Sequence, residues 1–142
     1  MSTNSNIILR RKDDIYQYSY CHWDGYLEHN GNILYKYYDS IEKIEKLLSY
    51  GDISYLGSKL NPSYRSKHTM EKPQKDVCLF YHRDRKEPIC RMHITMSPPE
   101  NQEYNYLFDS YVNMWYVNCS ETNNVWRPLE TVLKGIGKNG KN

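Results

Sequence analysis

The heptapeptide Tyr20-Cys21-His22-Trp23-Asp24-Gly25-Tyr26 lies where the periodicity of the chain changes. Before it, side chains alternate with the period of two that is typical of a β-strand, and after it apolar residues recur with helical spacing. Its seven residues carry three aromatic rings, a thiol, an imidazole and a carboxylate, and Gly25 allows a tight turn. We therefore expect a first β-hairpin to end here and a first helix to begin.

The segment that leads into the heptapeptide predicts a β-hairpin. Residues 6–11 and 15–22 read as its two strands, joined by a short polar turn. One face of the second strand carries Tyr16, Tyr18 and Tyr20. A row of tyrosines on one face fits either a core face or an exposed stacking platform, because each ring has a large apolar body and a polar tip.

Two consecutive helices are predicted after the heptapeptide. The first covers residues 26–38 and is weakened in its middle by Asn30-Gly31-Asn32. The second is capped by Asp39 and stopped by Gly51, and residues 52–57 add a short helical turn. The second helix has one apolar stripe, formed by Ile41, Ile44, Leu47 and Leu48.

The second half of the chain predicts four more strands in two hairpins, 77–81 with 89–96 and 104–108 with 114–119. Because residues 77–81 are nearly all apolar, this strand is expected in the centre of its sheet. The sequence therefore predicts an α+β fold, with an antiparallel β-sheet built from hairpins and two consecutive helices packed on one face.

The length and composition of the chain fit one domain. We expect this domain over residues 1–134 and a disordered tail over residues 135–142. No stretch approaches the ~18 consecutive apolar residues that cross a membrane, and the N-terminus lacks the basic region and apolar core of a secretory signal. These features predict a cytoplasmic protein without membrane contact.

The net charge of +2 is unevenly distributed along the chain. The basic loop, residues 61–76, is polar, contains proline and is expected to be flexible. Its cations are Arg65, Lys67, Lys72 and Lys75. Outside this loop and the lysine-containing C-terminus the chain is mildly acidic, whereas nucleic-acid-binding domains usually carry a basic face. Direct binding of nucleic acid is therefore the less expected function.

The four cysteines indicate reduced, packed thiols rather than a disulfide framework, because none belongs to a Cys-x-x-Cys pair. A zinc site would need a set such as Cys78, His82, Cys90 and His93. On a strand Cys90 and His93 would point to opposite faces, which disfavours this set. We expect no metal and no other cofactor.

A polar cluster, His82-Arg83-Asp84-Arg85, follows the predicted strand 77–81 and suggests an enzymatic hypothesis. If it meets the heptapeptide at one sheet edge, the arginines could hold a phosphate or carboxylate. The acids and bases would then be His22, Asp24, His82 and Asp84. His-Arg-Asp also occurs in kinase catalytic loops, but Ile89 replaces the asparagine of that motif and no glycine-rich phosphate loop is present. The structural alternative is a network that fixes the strand ends.

The same surface also fits a binding function, since tryptophan, tyrosine and arginine are over-represented at interaction hot spots. The candidate contact residues are Tyr20, His22, Trp23, Asp24, Tyr26, His82, Arg83 and Arg85. Trp23 has a structural alternative, which is to cover the core edge between hairpin and helix. We favour binding over catalysis, with the basic loop as the second candidate contact. The alternative is a small enzyme or nucleotide- or phosphate-binding protein.

Several motifs together resemble those of small proteins from bacteriophages and prophages of low-GC bacteria. They are Ser5-Asn6-Ile7, the heptapeptide, Leu47-x-x-x-Gly51-Asp52-Ile53-Ser54, Tyr81-His82-Arg83-Asp84-Arg85, Tyr106-Leu107-Phe108-Asp109 and Trp115-Tyr116-Val117. The resemblance spans residues 5–118. Where that set has a proline after Gly-Tyr and a glycine after the second arginine, this chain has Leu27 and Lys86.

The resemblance implies a phage accessory protein that acts in the host cytosol, and it supplies no catalytic residues. Many phage proteins of this size inhibit host defence, anti-CRISPR proteins among them, although size and origin are an association rather than a mechanism. The implied partner is a host protein or ribonucleoprotein complex. The sequence leaves the identity of that partner and the oligomeric state open.

Overall fold

The computed structural model of the chain describes residues 2–63 and 67–139, without the side chains of residues 138 and 139. These residues contain eight strands: β1 Ser5–Arg10, β2 Tyr16–Cys21, β3 Ile53–Tyr55, β4 Leu79–Phe80, β5 His93–Thr95, β6 Tyr104–Asp109, β7 Met114–Cys119 and β8 Arg127–Pro128. The helices are α1 Asn32–Tyr37, α2 Ile41–Leu48 and α3 Leu129–Asn139, with a π-helical turn at Leu27–Gly31 and a 3₁₀ turn at Ser120–Thr122.

All eight strands belong to one mixed sheet in the order β4-β3-β2-β1-β6-β7-β8, and β5 pairs with β2 beside β3. The prediction of a purely antiparallel sheet is wrong, because β1 pairs with β6 in parallel and β2 pairs with β3 in parallel. Strand β1 joins β6 from Ser5↔Tyr104 to Arg10↔Asp109. Local hairpin patterns cannot reveal a pairing over such a separation in sequence.

Two of the three predicted hairpins are confirmed. Strands β1 and β2 pair antiparallel, as do β6 and β7. The third prediction is wrong, since β4 pairs with β3 and β5 pairs with β2 instead of with each other. Strand β4 lies at the sheet edge rather than in its centre, and residues 52–57 contain β3 instead of a helical turn.

The helices also differ from the prediction of two consecutive helices. A third helix, α3, follows the last strand, so the helical layer comes from two separate segments of the chain. It extends as far as Asn139 into the predicted disordered tail, of which residues 140–142 lie outside the described part. Helix α2 is capped by Ser40, whose hydroxyl accepts from the Lys43 N–H, whereas Asp39 forms an ion pair with Lys43.

The core lies between the helices and one face of the sheet. The central strands contribute Ile7, Leu9, Tyr106 and Phe108, and the helices contribute residues such as Leu34, Ile44 and Leu47. Each large side chain buried in this way contributes about 1.5–3 kcal/mol relative to an exposed one. The Trp115 indole N–H donates to the Tyr38 carbonyl at 2.8 Å and fastens the end of α1 to β7.

The opposite face of the sheet carries the three tyrosines of β2 and is crossed by a polar strap, residues 97–102. Asn6 donates to Asn101 of the strap at 2.8 Å and to Asn105 at 3.0 Å. Asn118 donates to Glu100 of the strap at 3.0 Å. Ile8 of β1 is buried on this face, on the side of the sheet opposite the helices, and does not belong to the main core. The tyrosines themselves are only half-buried.

Candidate functional site

The turn of the heptapeptide is fixed against the N-terminal segment. The Gly25 N–H donates to the Thr3 carbonyl at 2.9 Å, and the Gly25 carbonyl accepts from the Tyr106 hydroxyl at 2.6 Å. A Cβ atom at Gly25 would lie 2.9 Å from the Thr3 carbonyl oxygen and 3.0 Å from backbone atoms of Asn4. The preceding Asp24 adopts φ +56°, in the left-handed region. The turn therefore needs glycine because of its close approach to backbone.

This turn presents Trp23 at the surface. The backbone N–H groups of His22 and Trp23 donate to the carbonyls of Ile53 and Ser54 at 3.0 Å, which extends the β2–β3 ladder. The Trp23 ring packs edge-on against His22 at 4.7 Å and stays 42% exposed. The backbone is thus held while a large aromatic ring faces solvent, which is typical of an interaction anchor.

Trp23 lines a groove of about 550 Å³ between the heptapeptide and the basic loop. The lining of this Trp23 groove is mainly apolar and includes Trp23, Tyr55, Met70, Pro73, Val77 and Leu79. Val77 and Leu79 are nearly buried, so they form the floor, whereas Trp23 is an exposed rim. Lys75 and Asp76 lie on the opposite rim. An apolar groove with a few polar groups on its rims is suited to bind an apolar side chain of a partner.

The basic loop that forms the second rim is anchored by a buried histidine. His68 Nε2–H donates to the Cys78 carbonyl at 2.9 Å, and the Gln74 N–H donates to His68 Nδ1 at 3.0 Å. Among the predicted basic contacts, Lys67, Lys72 and Lys75 are exposed, and Arg65 lies outside the described residues. The described part of the loop therefore has a fixed attachment next to β4.

Tyr20 and His22 form a hydrogen-bonded pair on the other side of the heptapeptide. The Tyr20 hydroxyl lies 2.8 Å from His22 Nδ1, and Asn4 donates to the His22 carbonyl at 2.8 Å. Burial is the main cause that raises the pKa of the Tyr20 phenol. Tyr20 therefore remains a neutral phenol at physiological pH, and this pair can donate and accept hydrogen bonds but carries no activated nucleophile.

Arg83 and Asp84 are committed to contacts within the protein. Arg83 uses all three of its nitrogens as donors: Nε to Asp84 at 2.9 Å, Nη1 to the Leu60 carbonyl at 2.8 Å and Nη2 to the Cys78 carbonyl at 3.1 Å. Asp84 also accepts from the Phe80 N–H at 2.8 Å and closes the turn after β4. The Arg83 guanidinium lies over the Phe80 ring at 4.8 Å. Few donors remain for a ligand.

His82 and Tyr20 line a second, smaller depression of about 240 Å³. This tyrosine cleft is lined by Tyr20, Asp52, Tyr81, His82, Glu87 and Arg91, together with Ile89. His82 Nδ1–H donates to the Glu87 carbonyl at 2.7 Å. Arg85 is exposed, lies over the Tyr81 ring at 5.7 Å and is 3.7 Å from the Glu87 carboxylate.

The predicted site residues thus occupy three surface regions rather than one centre. Tyr20 and His82 share the tyrosine cleft, Trp23 lines the Trp23 groove, and Arg83 and Asp84 line a third depression with Lys46 and Tyr50. Asp24 is partly exposed in the turn, and Tyr26 is exposed at the start of the π-helical turn. A joint acid–base role would need His22, Asp24, His82 and Asp84 in one cavity, and none of these three regions is lined by all four.

Sequence reasoning missed a pair that joins three strands, Asp52 and His93. His93 Nε2–H donates to the Asp52 carboxylate at 2.9 Å, and the same oxygen accepts from the Tyr20 N–H at 3.0 Å. The His93 ring also stacks on Tyr18 at 4.9 Å. The signal available in the sequence was a histidine between the apolar residues Met92 and Ile94. This signal could mark His93 as a candidate for a specific contact but could not identify its partner.

The cysteines lie in separate environments. Burial raises the pKa of the Cys21 thiol to about 12 and also raises the pKa of Cys78, so both remain thiols at neutral pH. The side chains considered for zinc have different partners: Cys78 contacts Gly57, His82 contacts Glu87, Cys90 contacts Ser49 and His93 contacts Asp52. In the described part of the chain, no three His, Cys, Asp or Glu side chains are grouped as metal ligands.

Within residues 2–63 and 67–139, no helix is long and apolar enough to cross a lipid bilayer. Comparisons of the chain with protein-family models, with curated proteins and with solved structures gave no match.

Proposed function

We propose that this chain is a non-enzymatic accessory protein of the phage type that binds a host protein or ribonucleoprotein in the host cytosol. We further propose that the partner belongs to a bacterial defence system such as CRISPR–Cas, and that the contact is made through the Trp23 groove. The phage origin and the class of partner rest on the motif resemblance described above. The place of the contact rests on the geometry of the groove.

The observation that carries the proposal is the exposed Trp23 ring beside an apolar groove of about 550 Å³. Exposed tryptophans next to apolar pockets are enriched among residues that dominate binding energy. The backbone of Trp23 is already fixed by its bond to Ser54 and by the Gly25 turn. A rigid anchor loses little conformational entropy on binding, which favours affinity.

Catalysis is disfavoured by how the polar side chains are used. Arg83 and Asp84 bind each other and the protein backbone, so neither is available for substrate. His82 donates from Nδ1 to the backbone, and His22 is hydrogen-bonded to Tyr20. A general base must come within about 3 Å of the proton it removes. In the described residues, His22 reaches the Tyr20 hydroxyl, whose pKa is raised by burial, and His82 Nδ1 is bound to a backbone carbonyl, so neither imidazole faces an activated nucleophile.

The test is capture of partners by the immobilised protein from host lysate, followed by binding measurements with the purified partner. Trp23→Ala should weaken binding at least ~30-fold, the loss expected when a hot-spot residue is truncated. The matched control is Tyr35→Ala, because Tyr35 is also 42% exposed but lies on α1, away from the groove. Equal affinity of the Trp23→Ala variant and the wild type would contradict the groove as the contact.

A second candidate function is suggested by the tyrosine cleft, which places His82 and Arg91 beside the Tyr20 and Tyr81 phenols. Such groups could hold a small phosphate or carboxylate ligand. A double His82→Ala, Arg91→Ala variant separates this alternative from the leading proposal, because both residues line the cleft and neither lines the Trp23 groove. The leading proposal predicts that partner binding survives both substitutions, whereas a ligand-binding role for the cleft predicts that the wild type binds inorganic phosphate and the variant does not.

A further inference from the structure

A stripe of exposed apolar side chains lies on and beside strand β5. Ile89, Met92, Ile94 and Met96 have exposed fractions between 52% and 78%. Ile94 lies in β5 and points away from the side of His93 and Thr95, and Met92 and Met96 flank the strand at its two ends. Single exposed apolar residues are ordinary, but a contiguous exposed stripe marks a surface that another molecule covers.

Strand β5 is also an open sheet edge. It pairs with β2 through Tyr16↔Thr95, Gln17↔Ile94 and Tyr18↔His93, and no strand of the described residues pairs with its other side. Natural edge strands are usually protected by charged side chains, proline or a bulge. Residues 92–96 contain no lysine, arginine, aspartate, glutamate or proline. This edge therefore lacks the features that would prevent pairing with a further strand.

The His93 side chain, which lies between the stripe residues Met92 and Ile94, holds β5 in place. His93 donates to Asp52 at 2.9 Å and stacks on Tyr18 at 4.9 Å. The two contacts hold the His93 side chain on the tyrosine face of the sheet, so that Ile94 of β5 points to the other face. The stripe is thus presented by a strand whose position and register are already set.

We propose that two copies of this chain associate by antiparallel pairing of β5 with β5, centred on Ile94. The sequence Met92-His93-Ile94-Thr95-Met96 is symmetric in its stripe residues. A two-fold axis at Ile94 therefore places Ile94 opposite Ile94 of the second copy and Met92 opposite Met96. The two sheets become one continuous sheet, and both stripes lie on the same face of it.

The charge distribution favours a second copy as the occupant. A two-fold contact centred on Ile94 places that residue opposite its own copy, so a charge at the centre of the strand would be repelled by an identical charge. Residues 92–96 carry no formally charged side chain, and His93 is bound to Asp52 on the other side of the strand. Because the strand is short, the contact resembles the small interfaces of transient complexes. The dimer is expected to dissociate in the micromolar range.

Disulfide trapping tests both the pairing and its register. Directly opposed Cα atoms of antiparallel strands are about 4.5–5.5 Å apart, inside the range of about 4.4–6.8 Å that disulfides span. In a Cys90→Ser background, Ile94→Cys should oxidise to a covalent dimer at least tenfold faster than Met92→Cys. Two copies of residue 92 would be roughly 13 Å apart in this register. A mixture of Met92→Cys and Met96→Cys should form a heterodimeric cross-link.

Sedimentation equilibrium between about 10 and 500 µM provides the second measurement on the whole chain. The wild type should show concentration-dependent dimer, and Ile94→Lys should weaken association at least tenfold, because it places two like charges opposite each other. The matched control is Val112→Lys, an exposed apolar residue in the β6–β7 turn, which should associate like the wild type. A wild-type monomer at all concentrations, or equal cross-linking rates for Ile94→Cys and Met92→Cys, would overturn the proposal.

Discussion

Gly25 is the residue on which the turn of the heptapeptide depends. A Cβ atom at this position would lie only about 3 Å from backbone atoms of Thr3 and Asn4, and the Gly25 carbonyl accepts a hydrogen bond from the buried Tyr106 hydroxyl. The same turn brings Trp23 to the surface. A single glycine therefore couples the packing of the N-terminal segment to the position of the proposed binding anchor.

The substitution Gly25→Ala should lower the free energy of unfolding by about 1–3 kcal/mol, because the added methyl group meets backbone atoms that cannot rotate away. Urea denaturation measures this change. Gly135→Ala is the matched control, since a Cβ there meets nothing within 4 Å. Gly135 lies inside α3, so alanine should stabilise the helix by up to ~1 kcal/mol. A neutral effect of Gly25→Ala would contradict the crowded turn.

Arg83 should prove to be a structural residue. Arg83→Lys removes the planar donor group that binds Asp84 and two backbone carbonyls, and lysine cannot reproduce these bonds. The free energy of unfolding should fall by about 1–3 kcal/mol. The control Arg85→Lys changes only an exposed pair with Glu87 and should cost less than about 0.5 kcal/mol. Loss of partner binding by Arg83→Lys at unchanged stability would assign Arg83 to the interface instead.

At the scale of elements, strand β5 is attached to the sheet through Asp52. Its carboxylate accepts from His93 of β5 and from the Tyr20 N–H of β2, and it precedes β3 directly. The Asp52 carboxylate thus connects β5 and β2 to the start of β3. Because β5 pairs with β2 over only three residues, the loss of this acceptor should release β5 before it affects the central strands.

Asp52→Ala should therefore raise amide hydrogen exchange selectively in β5. We expect at least tenfold faster exchange over residues 91–96 and unchanged exchange in β1 and β6, which lie in the centre of the sheet. Asp52→Asn, which keeps a carbonyl acceptor, should give a smaller effect. Faster exchange spread evenly over the whole sheet would contradict a local role for Asp52.

Elements with a complete local pattern were predictable from the sequence. The β1–β2 and β6–β7 hairpins and the apolar stripe of α2 follow from alternation and helical spacing. The short strand β3 was not, because three residues carry no periodicity. Strand β4 lies within the predicted strand 77–81, but its partner and its edge position were not predicted. The pairing of β3 and β4, like that of β1 with β6, depends on tertiary contacts. The predicted end of the domain at residue 134 lies inside α3, which continues to Asn139.

The candidate site was predictable only in part, for a related reason. Trp23 could be selected from its residue type and its place beside a glycine turn. The other rim of its groove, with Met70 and Pro73, comes from a loop without periodicity, so nothing in the sequence places it next to Trp23. The His93–Asp52 bond joins residues far apart in the chain. Long-range juxtaposition is information that only the folded chain contains.

At the scale of the whole molecule, the core and its edges hold neutral groups that ionise only at high pH. Burial raises the pKa of Cys21 from near 9 to about 12 and raises the pKa of Tyr38 and Tyr106 from near 10. Below pH 9 these groups are protonated in both the folded and the unfolded chain. Above pH 9 to 10 the unfolded chain releases their protons first, so alkaline pH favours unfolding.

The free energy of unfolding should accordingly be insensitive to these groups up to about pH 9. It should then fall by about 1.4 kcal/mol per pH unit for each group that ionises only in the unfolded chain. Urea denaturation at pH 7, 9, 10 and 11 measures this decline. Tyr38→Phe should reduce the slope above pH 10 because one such phenol is removed. A constant free energy of unfolding between pH 8 and 11 would contradict the burial of these groups.

The central claim is that the Trp23 groove binds a host macromolecule, and hydrogen exchange of the chain in complex with its captured partner tests it most directly. The proposal predicts protection of Trp23, of residues 54–55 and of residues 70–79, the segments that contain the lining of the groove. The tyrosine cleft around His82 and Arg91 should exchange as in the free protein. Protection confined to the cleft, with the groove unchanged, would contradict the account.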